Sequence, residues 1–383
     1  MKFLSKISLL TVLLIGYSSC NLNAKNHEVS TTVAKLEHHP NKQFIKVALL
    51  LDTSNSMDGL IDQAKAQLWE IVNELSYARC DNERPNLQIA LYEYGNDGLN
   101  PEKGYIRQVL SFSEDLDEIA KELFSLTTNG GSEYCGQVIQ TSLNQLKWGK
   151  NPDDLKLVFI AGNEPFTQGR VSYRLATSNA NEKDITVNTI FCGNYREGIN
   201  TSWKDGADRT NGDYMAIDHN LATVHIVSPY DDAILILNTK LNKTYVSYGN
   251  QGRAKKELQQ EQDTNAEGYS SANAVSRTVS KSSHLYKNST WDLVDAVEME
   301  EVVVEDLKDD ALPEELKGKS AKEIKAYVEQ KKVERQSIKK EIQELNEKRR
   351  KFIADKQKEN KNGLENAMIN AIKSQAKKKN YNW

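Results

Sequence analysis

Asp52, Ser54 and Ser56 stand at alternate positions in "LLLDTSNSMDGLI", where an apolar run stops on a carboxylate and two hydroxyls follow. Two kinds of chemistry suit that spacing. Asp, Ser and Asn favour turns and helix N-caps, so Ser54 or Ser56 can simply cap the helix that follows. Alternatively, the oxygens converge on a hard cation. Magnesium wants about six oxygen ligands in near-octahedral geometry and keeps waters where the protein supplies none. Further ligands would then come from loops at the same end of the strand. Two segments qualify: "TTNGGSEYCG" (127–136), just before a helix, and "FIAGNEPF" (159–166), which ends a strand.

The elements that must position these residues follow from periodicity. From residue 43 onward, short apolar runs alternate with amphipathic segments, the pattern of a mostly parallel sheet covered by helices. Strands are expected at about 44–51, 87–94, 105–112, 155–162, 185–193 and 214–218. The close spacing of the second and third, around "GNDGLNPEKG", predicts a hairpin and hence one antiparallel edge strand. Helices are expected after the first strand, where Leu60, Ile61, Ala64, Leu68, Ile71, Val72 and Leu75 share a face, and near 115–126 and 133–147. A helix near 230–247 is expected to close the set. In open sheets of this kind ligands bind outside the carboxyl ends of the strands, which is where Asp52 falls.

On these motifs the stretch 43–248 resembles the von Willebrand factor A (vWA) domain family. The resemblance implies a Rossmann-like, doubly wound α/β fold with a six-stranded sheet, and a metal-ion-dependent adhesion site. That site uses DxSxS, a Thr in a GGT-like loop and an Asp at a TDG-like strand end. Asp52, Ser54 and Ser56 match the first motif, and Ser132 in "GGSE" keeps the hydroxyl of the second. In "IAGNEP", Ala161 and Gly162 stand where Thr and Asp belong, so the third carboxylate is missing unless Asn163 or Glu164 reaches in from the next positions. The implied cofactor is Mg2+ or another divalent cation, and the implied partner is a protein offering a carboxylate. The resemblance looks closer to one subset, bacterial envelope proteins that carry a lipid signal, this domain and a charged helical tail. In the implied topology Cys135 and Cys192 lie at the metal-bearing edge and Cys80 at the opposite one. A Cys135–Cys192 disulfide is therefore the pairing the resemblance implies, against the alternative of three free, mostly buried thiols.

The ends of the 383-residue chain carry other signals. "MKFLSKISLLTVLLIGYSSC" has two lysines, an apolar stretch and small residues before Cys20, the layout of a secretory leader over 1–19. Cys20 sits as in a bacterial lipobox, which makes it the expected lipid attachment point, with 20–42 as a flexible tether. Residues 249–285 are polar and read as a linker. In 286–383, an apolar knot (Trp291, Leu293, Val294, Val297) is expected to dock, and Ile324, Val328, Ile338, Ile342, Leu345 and Phe352 form a four-three seam. Lys331, Arg335 and Arg349 interrupt that seam, so a coiled coil and a long helix or hairpin packing in patches both suit it. A coiled coil would let the tail self-associate or bind a second protein.

A net charge of −4 gives no reason to expect nucleic-acid binding. No CxxC or Cys/His spacing marks zinc, and no GxSxG motif or phosphate-binding loop marks a nucleophile or nucleotide site. The expectation is a non-enzymatic, exported envelope binding module. The alternatives are a structural protein acting through its tail and a metal-dependent hydrolase. For a hydrolase, Glu133 and Glu164 are the only nearby carboxylates.

Overall fold

The computed structural model describes residues 43–220, 226–356 and 364–383. The leader, Cys20 and the tether lie outside them. The strands are β1 (Phe44–Asp52), β2 (Arg79–Cys80), β3 (Asn86–Tyr94), β4 (Ile106–Ser113), β5 (Leu155–Gly162), β6 (Thr186–Cys192), β7 (Tyr214–Ile217) and β8 (Tyr381–Asn382). The helices are α1 (Asp58–Leu75), α2 (Leu116–Phe124), α3 (Cys135–Gln145), α4 (Tyr173–Glu182), α5 (Tyr195–Asn200), α6 (Trp203–Asp208), α7 (Asp231–Asn242), α8 (Gly252–Tyr269), α9 (Ser271–Ser282), α10 (Leu293–Glu298), α11 (Ala321–Lys356) and α12 (Leu364–Lys377).

Six strands form one sheet in the order β4-β3-β1-β5-β6-β7, parallel throughout except for the antiparallel β3–β4 pair at one edge. β1 is central and nearly continuous in apolar side chains because helices cover both of its faces. Its one lysine, Lys46, is buried and satisfied: Nζ donates to the Trp148 carbonyl at 2.9 Å and lies 3.5 Å from Asp154. The edge strand β4 is mostly half-buried or exposed, as an edge should be. After β1 the chain moves to β3 on one side, and β5 lies on the other. The carboxyl end of β1 therefore sits at the switch point of the sheet.

Residues of α3, α4 and α6 pack one face of the sheet in a core around Val138, Ile139, Phe166 and Trp203. The other face carries α1, α2 and, unexpectedly, α12, whose Leu364, Met368 and Ile372 join the core beneath β1, β5 and β6. Thus the last helix of the chain, rather than α7, lies against the sheet beside α1; α7 packs outward against α9 and α11. The described residues fall in a single compact unit.

The stretch read as a linker is a pair of helices, and α9 is buried along almost its whole length. Small side chains let it approach α1 closely, and several of its polar atoms find partners there or on α2 and α8. Asn273 Nδ2 donates to the Ala66 carbonyl at 2.7 Å, and Ser280 Oγ to Asn73 Oδ1 at 2.7 Å. Arg277 bridges Asp117 and Asp263 at 2.8 and 2.6 Å.

The seam of α11 is likewise spent inside the chain rather than on a coiled coil. Ile324 and Val328 pack with Leu293, Val294 and Leu316, and Ile338 and Ile342 join the main core. Two of the residues that interrupt the heptads anchor the helix. Arg335 lies 2.6 Å from both Asp292 and Asp295, donates to the Thr244 carbonyl at 2.6 Å, and covers the Tyr245 ring at 4.2 Å. Arg349 lies 3.1 Å from Asp231.

Candidate functional site

Asp52 is the last residue of β1, paired in register with Tyr94 of β3, while its neighbour Leu51 pairs with Ala161 of β5. The chain then turns. Ser54 N donates to Asp52 Oδ1 at 2.7 Å, so the carboxylate caps its own turn, and the two serine hydroxyls lie 3.2 Å apart. Neither serine caps a helix through its side chain: Ser54 precedes the short 3-10 turn without such a bond, and α1 begins only at Asp58. The loop carrying Ser132 is strapped to this turn by backbone bonds from Asn55 N to Gly130 O and from Asn129 N to Thr53 O, both 2.9 Å. Ser132 itself bridges to Gly95 through the backbone.

Asp52 and Ser54 are buried, Ser132 is half-buried, and Ser56 is exposed at the rim. Asn163 meets Ser56, with Nδ2 to Oγ at 3.2 Å. Glu164 points elsewhere: its carboxylate accepts from Gln168 Nε2 at 2.9 Å in an exposed contact. The structure therefore brings Asp52, Ser54, Ser56, Ser132 and Asn163 to one edge and turns the Glu164 side chain away from it.

The residue that spacing did not assign to the site is Glu133. It is 2% exposed, and Oε2 accepts from Glu164 N at 3.3 Å. A Cβ at Gly95 (φ 81°) would lie 2.8 Å from both Asp52 Oδ1 and Glu133 Cγ, so only glycine lets these two acids close together there. Burial first, and the neighbouring Glu133 second, push the Asp52 carboxyl well above the usual carboxylate range. Burial also raises Glu133, against hydrogen bonds from Asp52 and Ser54 that pull it back. Asp52 Oδ2 is buried and has no hydrogen-bond partner among the described residues. The position of Glu133 in "GGSE", beside the hydroxyl the motif singles out, was the available signal. Whether a loop side chain one residue on points inward is a tertiary matter.

Gly162 explains why the third carboxylate is missing. A Cβ there would lie 2.5 Å from the Tyr94 hydroxyl and 3.1 Å from Asp52 Oδ2. Tyr94 fills that space, fully buried, with its hydroxyl donating to the Ala161 carbonyl at 2.9 Å.

The cysteines correct one expectation. Cys80, Cys135 and Cys192 are free and buried. Cys135 opens α3 in the core on one face of the sheet, and Cys192 ends β6 in the core on the other. The sheet stands between them. A shared edge in topology does not give two side chains a shared face.

Among the described residues no group of three or more His, Cys, Asp or Glu side chains is arranged to hold a metal ion by itself. The donor set at the Asp52 edge is two carboxylates and serine hydroxyls, a hard oxygen set suited to magnesium or a similar divalent ion. The unpartnered Asp52 Oδ2 is the atom such an ion would satisfy. Residues 46–206 match the von Willebrand factor type A domain. This segment is a vWA domain. Among solved structures the chain is similar to the conserved hypothetical protein BatB from Bacteroides thetaiotaomicron, at 15% identity and a TM-score of 0.35, over 45% of this chain and 90% of that one. It is also similar to a von Willebrand factor type A protein from Catenulispora acidiphila (16% identity, TM-score 0.34, 46% and 39% covered). A third is proximal thread matrix protein 1 of the mussel byssus with a zinc-occupied MIDAS motif (10%, 0.33, 46% and 42%). No curated protein matches the chain.

Proposed function

We propose that this protein is a non-enzymatic binding module of the cell envelope, whose vWA domain holds a divalent cation at the Asp52 edge and through it takes a carboxylate from a protein partner. The observation that carries the reading is the buried, unpartnered Asp52 Oδ2 beside two serine hydroxyls 3.2 Å apart. Asp52, Ser54, Ser56 and Ser132 would hold Mg2+, and the bound ion would supply a Lewis-acid position for a partner's oxygen. Ser56 is exposed and Asn163 is half-buried beside it, which keeps that side of the edge open to a partner. The binding surface is assigned to the vWA edge rather than the tail because α11 and α12 commit their apolar residues to this chain's own cores.

The leader-like N-terminus and Cys20 support export and a lipid anchor in the bacterial envelope. No described helix is long and apolar enough to cross a membrane. One acyl chain gives only marginal attachment, so stable anchoring needs several. A Cys20→Ser variant should fail to incorporate labelled fatty acid; normal processing and membrane retention would refute the anchor. The binding reading is tested by affinity purification from detergent-solubilised envelope with Mg2+ or with EDTA. A partner should be held only with Mg2+ and be lost in Asp52→Ala. Capture that survives both EDTA and Asp52→Ala would overturn the proposal.

A further inference from the structure

Acidic side chains buried elsewhere in this molecule follow one rule. Glu93, Asp117, Asp154, Asp231, Asp292 and Asp295 are each buried and each faces a lysine or arginine: Arg107, Arg277, Lys46, Arg349 and, for the last two, Arg335. Asp52 and Glu133 are as deeply buried, lie against one another, and have no such partner among the described residues. Two adjacent carboxylates taken out of water without a counter-charge are costly. The counter-charge missing from the protein is one that a bound cation would supply.

We infer that Glu133 supplies the carboxylate that Gly162 removed, so that the cation is carried by Asp52 and Glu133 together with the hydroxyls of Ser54, Ser56 and Ser132. The inference rests on the cation-site reading above and names the ligand which that reading leaves open. Glu133 spans the gap the substitution leaves. Its Oε2 takes the backbone N–H of Glu164, just past β5, at 3.3 Å. Its Oε1 lies toward Ser54: a Cβ at Gly131 would sit 3.8 Å from that oxygen and 3.5 Å from Ser54 Cβ. Asp52 Oδ2, buried and unpartnered, faces the Gly162 position. Of the two residues that could have replaced the lost Asp by sequence adjacency, Glu164 is engaged elsewhere with Gln168, and Asn163 sits at the rim on Ser56 and brings an amide rather than a charge. With Glu133 in the set, two negative charges again face a divalent ion, as in the three-motif site with its own Asp.

The test is Mn2+ titration of the full chain, read as loss of the free-ion electron paramagnetic resonance signal and by calorimetry. Wild type, E133Q, E133S, E164Q, N163A and D52N are compared, with circular dichroism checking the fold of each. Gln keeps the shape of Glu133 and still accepts from Glu164 N, while Ser tests the same charge loss with a smaller side chain. The expected result is wild-type affinity in E164Q and near wild-type affinity in N163A, with a loss of about 10–100-fold or more in E133Q and E133S. If both Glu133 variants bind like wild type while D52N does not, Glu133 is not a ligand and the site at Asp52 stands without it. If wild type itself binds no Mn2+, the cation-site reading fails and this inference fails with it.

Discussion

Replacing Arg335 with Met tests whether the charged tail is part of the core. The guanidinium is 3% exposed and bonded to Asp292, Asp295, Thr244 Oγ1 and the Thr244 carbonyl. Met keeps much of the volume and the contact with Tyr245 but strips Asp292 and Asp295 of the guanidinium that bonds both, leaving only the longer-range charge of Lys339. Removing one partner of a buried ion pair costs about 3–5 kcal/mol, because the remaining charge stays desolvated. Set against a domain stability of about 5–15 kcal/mol, that is a large share. With a urea slope of about 3 kcal/mol per molar, the unfolding midpoint should fall by about 1–1.7 M. The assay is urea unfolding followed by tryptophan fluorescence, since Trp291 stacks on Tyr245 beside the network. Arg253→Met is the control: its pair with Glu257 has side chains 92% and 63% exposed, and its loss should cost under about 1 kcal/mol. Burial pushes Asp292 upward and Arg335 pulls it back, so without Arg335 the carboxyl takes a proton at higher pH. The cost of R335M should therefore shrink as pH falls, and adding D292N and D295N should recover most of it. A midpoint shift no larger than that of the Arg253 variant would refute the reasoning.

Restoring the family's third acid should fail: G162D places a Cβ 2.5 Å from the Tyr94 hydroxyl, so it should destabilise the fold by about 1–3 kcal/mol, and Y94F should relieve part of the loss in thermal unfolding. Cys80, Cys135 and Cys192 should resist alkylation in the native protein and all react after denaturation without reductant; a disulfide-linked peptide in a non-reducing map would contradict the placement of Cys135 and Cys192 in opposite cores. Burial alone would raise Asp263, but Lys281 and Arg277 hold its carboxyl far below the ordinary range. Its contribution is present above the unfolded value near 4 and lost as pH falls below it. D263N should therefore be less stable at pH 7 and show a shallower acid-side loss, measured by urea midpoints from pH 7 to 2.

What the sequence determined by itself is the part governed by short-range pattern. The continuous apolar runs of the parallel strands, the hairpin signal around Gly95–Gly104 and the stop at Asp52 specify the sheet, its antiparallel edge and the end that carries the oxygens. DxSxS was legible because its spacing is local: one turn places Asp52, Ser54 and Ser56 together. Tertiary structure decided the rest. The helix α9 has too few apolar residues to announce a core element, and becomes one only because α1 and Asp263 offer partners to its serines, asparagine, arginine and lysine. Arg335 and Arg349 break a heptad pattern on paper, yet they fix α11 through acids 40 or more residues away in the chain. Which face of the sheet a cysteine takes, and whether Glu133 or Glu164 turns toward Asp52, depend on packing across the sheet. Periodicity along one segment does not encode the direction of a loop side chain, because that direction is set by what already fills the space around it.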